Sequence, residues 1–175
     1  MRLVGWEDIS VPRTSHDKQF KGFYRHMQTN SDTSTSTLKP VHEHTQRLSY
    51  ADTDPAGILY YATWFPRMEA LQTEWLLLNG FRQDTLLERF GWWTVSRATH
   101  CDYLQAARLF EEITIELRVG EIGNCSVRFD FQMWRRSDQT LVATASNWLV
   151  TVSADQKAIR LPEVFRTFLE SGAAQ

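Results

Sequence analysis

The sequence lacks several features that would assign it to a particular functional class. It has no basic run, and its 175 residues carry a formal net charge of −2, of which +2 lies in residues 1–40 and −4 in residues 41–175. An acidic main part without a basic patch argues against nucleic-acid binding. No apolar stretch approaches the length of a membrane span, and the first residues contain no apolar signal-peptide core. We therefore expect a cytoplasmic protein with no membrane partner.

Cysteine is also scarce. Cys101 and Cys125 are the two cysteines of the chain, and they form no CxxC pair. They are widely spaced in the sequence, and we expect free, buried thiols in a reducing compartment. The chain also has no Gly-x-Ser-x-Gly motif, which disfavours a Ser-His-Asp hydrolase.

Enough hydrophobic material is present for one folded domain. Hydrophobic residues make up 42% of the chain and include seven Trp, and a chain of this length can bury a substantial core. Residues 28–37 form a polar, low-complexity run with little to bury. We therefore predict a flexible polar N-terminal extension over residues 1–40 and a single domain over residues 41–175.

Hydrophobic periodicity predicts one long helix among several strands. Strands are expected over residues 41–50, 92–103, 112–119, 126–134 and 140–153, and helices over residues 64–79, 83–90 and 164–170. For the C-terminal helix, packing on an edge and mobility both remain open. The long helix can bury its apolar face only if the antiparallel strands curl around it. This is the α+β hotdog fold, a long central helix wrapped by a curved antiparallel β-sheet.

The long helix has one apolar face and one polar face. Its apolar positions recur at steps of three and four: Phe65, Met68, Leu71, Trp75 and Leu78. Arg67 and Glu74 fall on the opposite side, and Glu69 and Glu74 are better explained as solvated surface than as catalytic acids. The helix begins either after an N-cap at Thr63 or further back at Tyr60 or Tyr61, and the sequence leaves both starts open.

Candidate metal ligands are few. His42 and His44 share one face of the first strand, but no third ligand follows at a suitable distance. Zinc sites take three or four protein ligands, so we interpret these residues as edge histidines and predict no metal or cofactor.

Two carboxylates precede the long helix in the turn Asp52-Thr53-Asp54-Pro55-Ala56-Gly57. Pro55 stiffens this turn, and Gly57 permits a positive φ or the close approach of another group to the backbone. A helix N-terminus favours anions, so a carboxylate here stays ionised, and the nearby N–H groups can polarise a carbonyl oxygen. Ordinary capping of the helix by these acids is the alternative interpretation.

The run Asp-Thr-Asp-Pro-Ala-Gly-Ile-Leu-Tyr-Tyr-Ala, which begins at Asp52, resembles the active-site signature of the 4-hydroxybenzoyl-CoA thioesterase-like family of hotdog-fold acyl-thioesterases. The family pattern is Asp-x-Asp-x-Ala/Gly-Gly, two apolar residues and an aromatic. Residues 102–113 also resemble the family's Tyr-x-x-Pro-Ala-Arg-x-Gly-Asp segment. They depart from it at Ala106, where Pro is common, and at Phe110-Glu111, where Gly-Asp is common. The similarity covers about residues 41–155.

The resemblance implies a role for each matching residue. Asp54 would be the catalytic carboxylate, and the backbone N–H of Tyr61 would bind the thioester oxygen. We expect Asp52 to hold the turn through N–H bonds rather than act chemically. Apart from the resemblance, Gly57, Tyr60 and Trp64 are the expected substrate-binding residues, with the two aromatic side chains lining an acyl pocket, although core packing explains each aromatic residue singly better. The family also implies a homodimer or homotetramer.

The expected reaction is hydrolysis of an acyl thioester to a free acid and a thiol. Asp54 either activates water or attacks the carbonyl itself. The thiol is coenzyme A or the phosphopantetheine of an acyl carrier protein. The hairpin at Glu121-Ile122-Gly123-Asn124 has no basic residue for CoA phosphates. This absence favours the acyl carrier protein over coenzyme A as the thiol carrier. The alternative function is a non-catalytic hotdog dimer that binds acyl chains or a carrier protein.

Overall fold

The computed structural model describes residues 39–173. The predicted extension over residues 1–40 lies outside this range except for its last two residues. The described strands are β1 (His42–Arg47), β2 (Trp92–Tyr103), β3 (Glu112–Ile122), β4 (Ser126–Arg135) and β5 (Thr140–Ser153). The α-helices are α1 (Trp64–Leu78), α2 (Leu86–Phe90) and α3 (Glu163–Ala173), and short 3-10 turns cover Tyr50–Asp52, Tyr61–Thr63 and Gln83–Thr85.

The five strands form one antiparallel sheet in the order β1-β3-β4-β5-β2. One row of directly paired residues crosses the whole sheet: His44, Ile115, Met133, Ala143 and Tyr103. The two edge strands, β1 and β2, are those next to α1 and α2 in sequence. The Asp54 turn follows edge strand β1, and Tyr103 ends edge strand β2.

Alternation of apolar and polar residues produces one buried sheet face, as predicted. In β3 and β4 the buried apolar side chains occupy every second position: Ile113, Ile115, Leu117, Val119, Val127, Phe129, Phe131 and Met133. Helix α1 packs on this buried face. The predicted central helix on an antiparallel sheet is therefore the arrangement that the structure has.

Helix α1 begins at Trp64, after an N-cap at Thr63, and Pro66 lies in its first turn. Proline is tolerated there because the first N–H groups of a helix have no partner within it. The prediction of its buried face was partly wrong. Leu78 is 68% exposed, whereas Leu76 is buried. In the last turn of α1 the buried side chains are therefore Trp75 and Leu76, and Leu78 faces outward.

Helix α3 extends the core rather than lying at an edge. Phe165 and Leu169 are fully buried, and the ring of Phe168 lies 4.6 Å from that of Trp75 on α1. The ring centroids of Phe165 and Trp92 are 5.1 Å apart. Two helices therefore cover the sheet face instead of the predicted single one. No helix within residues 39–173 has the length and hydropathy needed to cross a membrane.

Candidate active site

The turn that carries Asp54 is closed by backbone hydrogen bonds. The Asp54 N–H donates to Ile58 O at 2.9 Å, and the Gly57 N–H donates to Asp54 O at 2.9 Å. Gly57 has φ of +71°, which is one of the two roles that its position allowed and which a residue with a side chain adopts only at a cost. These bonds make the turn a stiff support for the Asp54 side chain.

The Asp54 carboxylate is half-buried and has one described hydrogen bond. Its Oδ1 accepts the N–H of Ala56, two residues on, at 2.8 Å. Within residues 39–173, no ion pair involves Asp54. A carboxylate without a neutralising cation retains its capacity to accept a proton or attack a carbonyl carbon.

Asp52 has a different environment. Its Oδ2 accepts the backbone N–H of Ser49 at 2.7 Å and the Ser49 hydroxyl at 2.9 Å, and its Oδ1 pairs with Arg67. Partial burial by itself raises the pKa of Asp52, but the Ser49 N–H and the Arg67 guanidinium outweigh it and hold the pKa below its ordinary value. Asp52 therefore holds the turn, as predicted.

Tyr61 is the first residue of the 3-10 turn that leads into α1. The first hydrogen bond of this turn runs from the Thr63 N–H to Tyr60 O at 2.9 Å. The N–H of Tyr61 precedes it and, like other first N–H groups of a helical segment, has no acceptor within the segment. Within residues 39–173 no hydrogen bond from this N–H is described, so it is a candidate donor to an oxygen outside the turn.

Tyr60 and Tyr61 are both exposed and lie together, with ring centroids 4.7 Å apart. Tyr103 from β2 joins them: its ring meets that of Tyr61 edge-on at 6.4 Å, and its hydroxyl donates to Tyr61 O at 3.4 Å. Trp64 is only 3% exposed and packs in the core, so its predicted contact with substrate stays a prediction. In the sequence analysis Tyr103 is only one residue of the family segment over residues 102–113. The residue pattern of β2 does not indicate its contact with Tyr61.

The segment after β2 lies along the Asp54 turn. The Leu59 N–H donates to Ala107 O at 2.7 Å, and the Leu109 N–H donates to Gly57 O at 3.2 Å. The two motifs on which the resemblance depends are therefore neighbours in the structure. Phe110 takes φ of +68°, a backbone conformation that suits glycine, the residue common there in the family.

Arg67 is a residue whose role the sequence analysis missed. It was placed on the solvent side, but its side chain is 15% exposed and lies between Asp52 and the start of α1. Its Nη1 donates to Thr63 O at 2.9 Å. A cation in the first turns of a helix is unfavourable beside the positive end of the helix dipole. The position of Arg67 near the positive end of α1 could therefore have indicated, from the sequence, that this residue has an acidic partner.

The other candidates have structural roles. Glu74 contacts His42 at 2.8 Å, and Glu69 accepts the Thr73 hydroxyl at 2.9 Å on the exposed side of α1. Both cysteines are free, and burial raises the pKa of Cys101 to about 11. Since the thiolate is the reactive form, Cys101 is a poor nucleophile.

Asp54 does not line either of two concavities found among residues 39–173. One, of about 490 Å³, lies against strands β1, β3 and β4. The other, of about 390 Å³, lies beside Cys125 and Ile159. Tyr60, Tyr61 and Tyr103, which follow the Asp54 turn in the chain, form an exposed aromatic surface.

Comparison with known proteins agrees with this geometry. A family model described as the thioesterase-like superfamily matches residues 48–169. The acyl-CoA thioesterase YbgC of Haemophilus influenzae is 32% identical over 91 residues, which cover 52% of this chain and 67% of that protein.

Solved structures share the fold at lower identity. The 1,4-dihydroxy-2-naphthoyl-CoA thioesterase Slr0204 of Synechocystis has a TM-score of 0.67 at 16% identity, covering 73% of this chain and 94% of that one. Protein SAV2348 of Staphylococcus aureus, solved in complex with CoA, has a TM-score of 0.70 at 15% identity, covering 79% and 88%. These findings confirm the hotdog fold and the resemblance found in the sequence. The chain belongs to the thioesterase-like superfamily and is an acyl-thioesterase.

Proposed function

We propose that this enzyme hydrolyses acyl thioesters of coenzyme A, with Asp54 as its catalytic carboxylate and the N–H of Tyr61 as the donor to the thioester oxygen. The observation that carries the proposal is the Asp54 side chain, held on a closed turn without an ion pair in residues 39–173, directly ahead of the helical segment that starts at Tyr61. A closed ion pair at Asp54 would instead have favoured a non-catalytic binding protein.

Two routes satisfy the chemistry at Asp54. In one, the carboxylate removes a proton from water, the resulting hydroxide attacks the carbonyl carbon, and the thiolate leaves with a proton. In the other, a carboxylate oxygen attacks the carbonyl carbon, the thiolate leaves, and water hydrolyses the mixed anhydride. In both, negative charge grows on the thioester oxygen, which the N–H of Tyr61 stabilises with the α1 dipole behind it.

Coenzyme A is the proposed thiol carrier because the relatives point to it: YbgC is an acyl-CoA thioesterase, and SAV2348 was solved with CoA. Arg128 lies near the β3–β4 hairpin and pairs with Asp130. Arg135 and Arg136 lie at the other end of β4, and both are engaged in ion pairs. None of these three arginines is therefore a free cation beside the hairpin for CoA phosphates. The carrier-protein substrate that this hairpin favoured is the second arm of the test below.

We further propose that the functional unit is a homodimer joined along β2. Strand β2 is a sheet edge twelve residues long, and its last residue, Tyr103, contacts Tyr61. A long unprotected edge is a template for pairing with another strand. A second copy there would add a wall to the aromatic surface of Tyr60, Tyr61 and Tyr103.

The replacement Asp54→Asn tests the catalytic role. It keeps the shape of the side chain and removes its basicity, so turnover should fall by about 100-fold or more while thermal unfolding stays unchanged. Free thiol is followed with a panel of acyl-CoAs and acyl carrier proteins. Asp155→Asn, at an exposed turn after β5, is the matched control and should retain full activity.

Normal turnover by Asp54→Asn would remove Asp54 from the mechanism. Hydrolysis of acyl carrier proteins alone would overturn the proposed CoA substrate while leaving the chemistry at Asp54 in place.

A further inference from the structure

A closed ring of interactions surrounds the peptide unit that joins Tyr60 to Tyr61. The Tyr60 N–H donates to Asp52 O at 2.9 Å, and Tyr60 O accepts both the N–H and the hydroxyl of Thr63, at 2.9 and 2.6 Å. Thr63 O accepts Nη1 of Arg67 at 2.9 Å, and Arg67 returns to the Asp52 carboxylate through Nη2. Four residues thus form a ring that links the turn to the first turn of α1.

The planarity of the peptide bond connects this ring to the oxyanion donor. Tyr60 C=O and Tyr61 N–H belong to one rigid, planar unit, with the oxygen and the hydrogen on opposite sides. Bonds that fix the direction of the Tyr60 oxygen therefore also fix the direction of the Tyr61 N–H. Two donors on that oxygen also polarise the unit, which strengthens the N–H on the other side as a donor.

We infer that Thr63 is a positioning residue, whose hydroxyl aims and polarises the Tyr61 N–H for the thioester oxygen. The inference rests on the proposed role of that N–H and adds a side chain to it. Asp52 and Arg67 complete the ring through their bonds to Tyr60 and Thr63. This also gives the half-buried Arg67 a function, although it lies at the helix end that disfavours cations.

The effect should appear in kcat rather than in KM. The ground-state carbonyl oxygen carries little charge, whereas the oxygen in the transition state approaches an anion. A better-aimed and more polarised N–H therefore stabilises the transition state more than the bound substrate. A hydroxyl that only satisfied its own hydrogen bond, as Thr side chains often do near helix starts, would affect stability and leave both kinetic constants unchanged.

The test removes the hydroxyl and then restores it. Thr63→Val keeps the size of the side chain without the donor, and Thr63→Ser keeps the donor. Loss of an oxyanion donor costs 100-fold or more, and loss of a group acting through it should cost less, so we expect kcat to fall about tenfold in Thr63→Val. KM should stay constant, and Thr63→Ser should be close to wild type. The substrate is the acyl-CoA of the panel that the wild type hydrolyses fastest.

Two further variants make the result decisive. Thr73 lies within α1, and its hydroxyl is bonded to Glu69 and Gln83. Thr73→Val removes this hydroxyl and should leave kcat unchanged. Thr63→Ala replaces Thr63→Val if the valine variant does not fold, because it also lacks the donor.

The outcomes separate this inference from the proposed function. Wild-type kcat in Thr63→Val, beside an inactive Asp54→Asn, overturns the role of Thr63 alone. The same holds for a fall in kcat that Thr63→Ser shares, or for a rise in KM at constant kcat. An active Asp54→Asn overturns the proposed function itself.

Discussion

Asp52 and Asp54 are separated by one residue but have opposite electrostatic environments. Asp52 accepts two hydrogen bonds from Ser49 and pairs with Arg67, whereas Asp54 accepts only the N–H of Ala56 among the described contacts. A carboxylate that is paired with a guanidinium is a poor base. These environments support a structural role for Asp52 and the proposed catalytic role for Asp54.

The lowered pKa of Asp52 predicts a specific acid sensitivity. Because its native pKa lies below the ordinary value of 3.8, the Asp52 contacts contribute their full stability above that value. The contribution is lost as pH falls below 3.8 and through the native pKa. In Asp52→Asn the free energy of unfolding should be lower at neutral pH, and its difference from wild type should shrink in this acid range.

Urea unfolding at a series of pH values measures this difference. Asp155→Asn, which alters an exposed acid, should follow the wild-type pH profile. A constant difference between Asp52→Asn and wild type from neutral pH to acid would show that the charge of Asp52 is not what stabilises the turn.

At the scale of elements, the sequence predicted local pattern well and distant contacts poorly. The predicted limits of β2 and β5 match the structure, because turn residues flank each strand. Helix α3 was predicted four residues too short, and its packing was left open. Its partners, such as Trp75 and Trp92, are far away in sequence, so nothing near α3 could reveal them.

The same distinction holds within the active site. The Asp54 turn was predicted because its residues are continuous in sequence, whereas the start of α1 was left open between an N-cap at Thr63 and an earlier start at Tyr60 or Tyr61. The contacts of Arg67 with Asp52 and of Tyr103 with Tyr61 join residues 15 and 42 positions apart. Side chains that meet only through the fold carry no periodicity or spacing signal.

Helix α3 should be essential for stability, although it lies far from Asp54 in sequence. Leu169 is completely buried in the core, and Leu→Ala replacements at such sites cost about 2–5 kcal/mol through lost burial and the remaining cavity. We therefore expect Leu169→Ala to lower the free energy of unfolding by that amount in chemical denaturation.

Val164→Ala on the same helix is the matched control, because Val164 is 54% exposed and its truncation should change stability by no more than about 0.5 kcal/mol. Equal stability of the Leu169→Ala variant and wild type would mean that α3 is not docked on the sheet in solution.

At the scale of the whole molecule, the question is what covers the β2 edge and the aromatic surface of Tyr60, Tyr61 and Tyr103. The single chain buries the inner sheet face under α1 and α3, but within residues 39–173 no strand pairs with the outer side of either edge strand. Of the two edges, β2 is the longer and leads through Tyr103 to Tyr61. Pairing of two copies along β2 would therefore bring both active sites to the interface.

A charge placed on the edge tests this proposal. Val95 lies on β2 and is 41% exposed, and lysine on an edge strand opposes edge-to-edge pairing. Wild-type protein should have twice the chain mass of 20.4 kDa in light scattering, and Val95→Lys should shift towards a monomer and lose activity with it. Val164→Lys places the same charge on the outer side of α3 and should remain an active dimer.

If Val95→Lys became monomeric and kept full activity, each chain would have to hold a complete site of its own, and the substrate would bind against the Tyr60, Tyr61 and Tyr103 surface without a second wall.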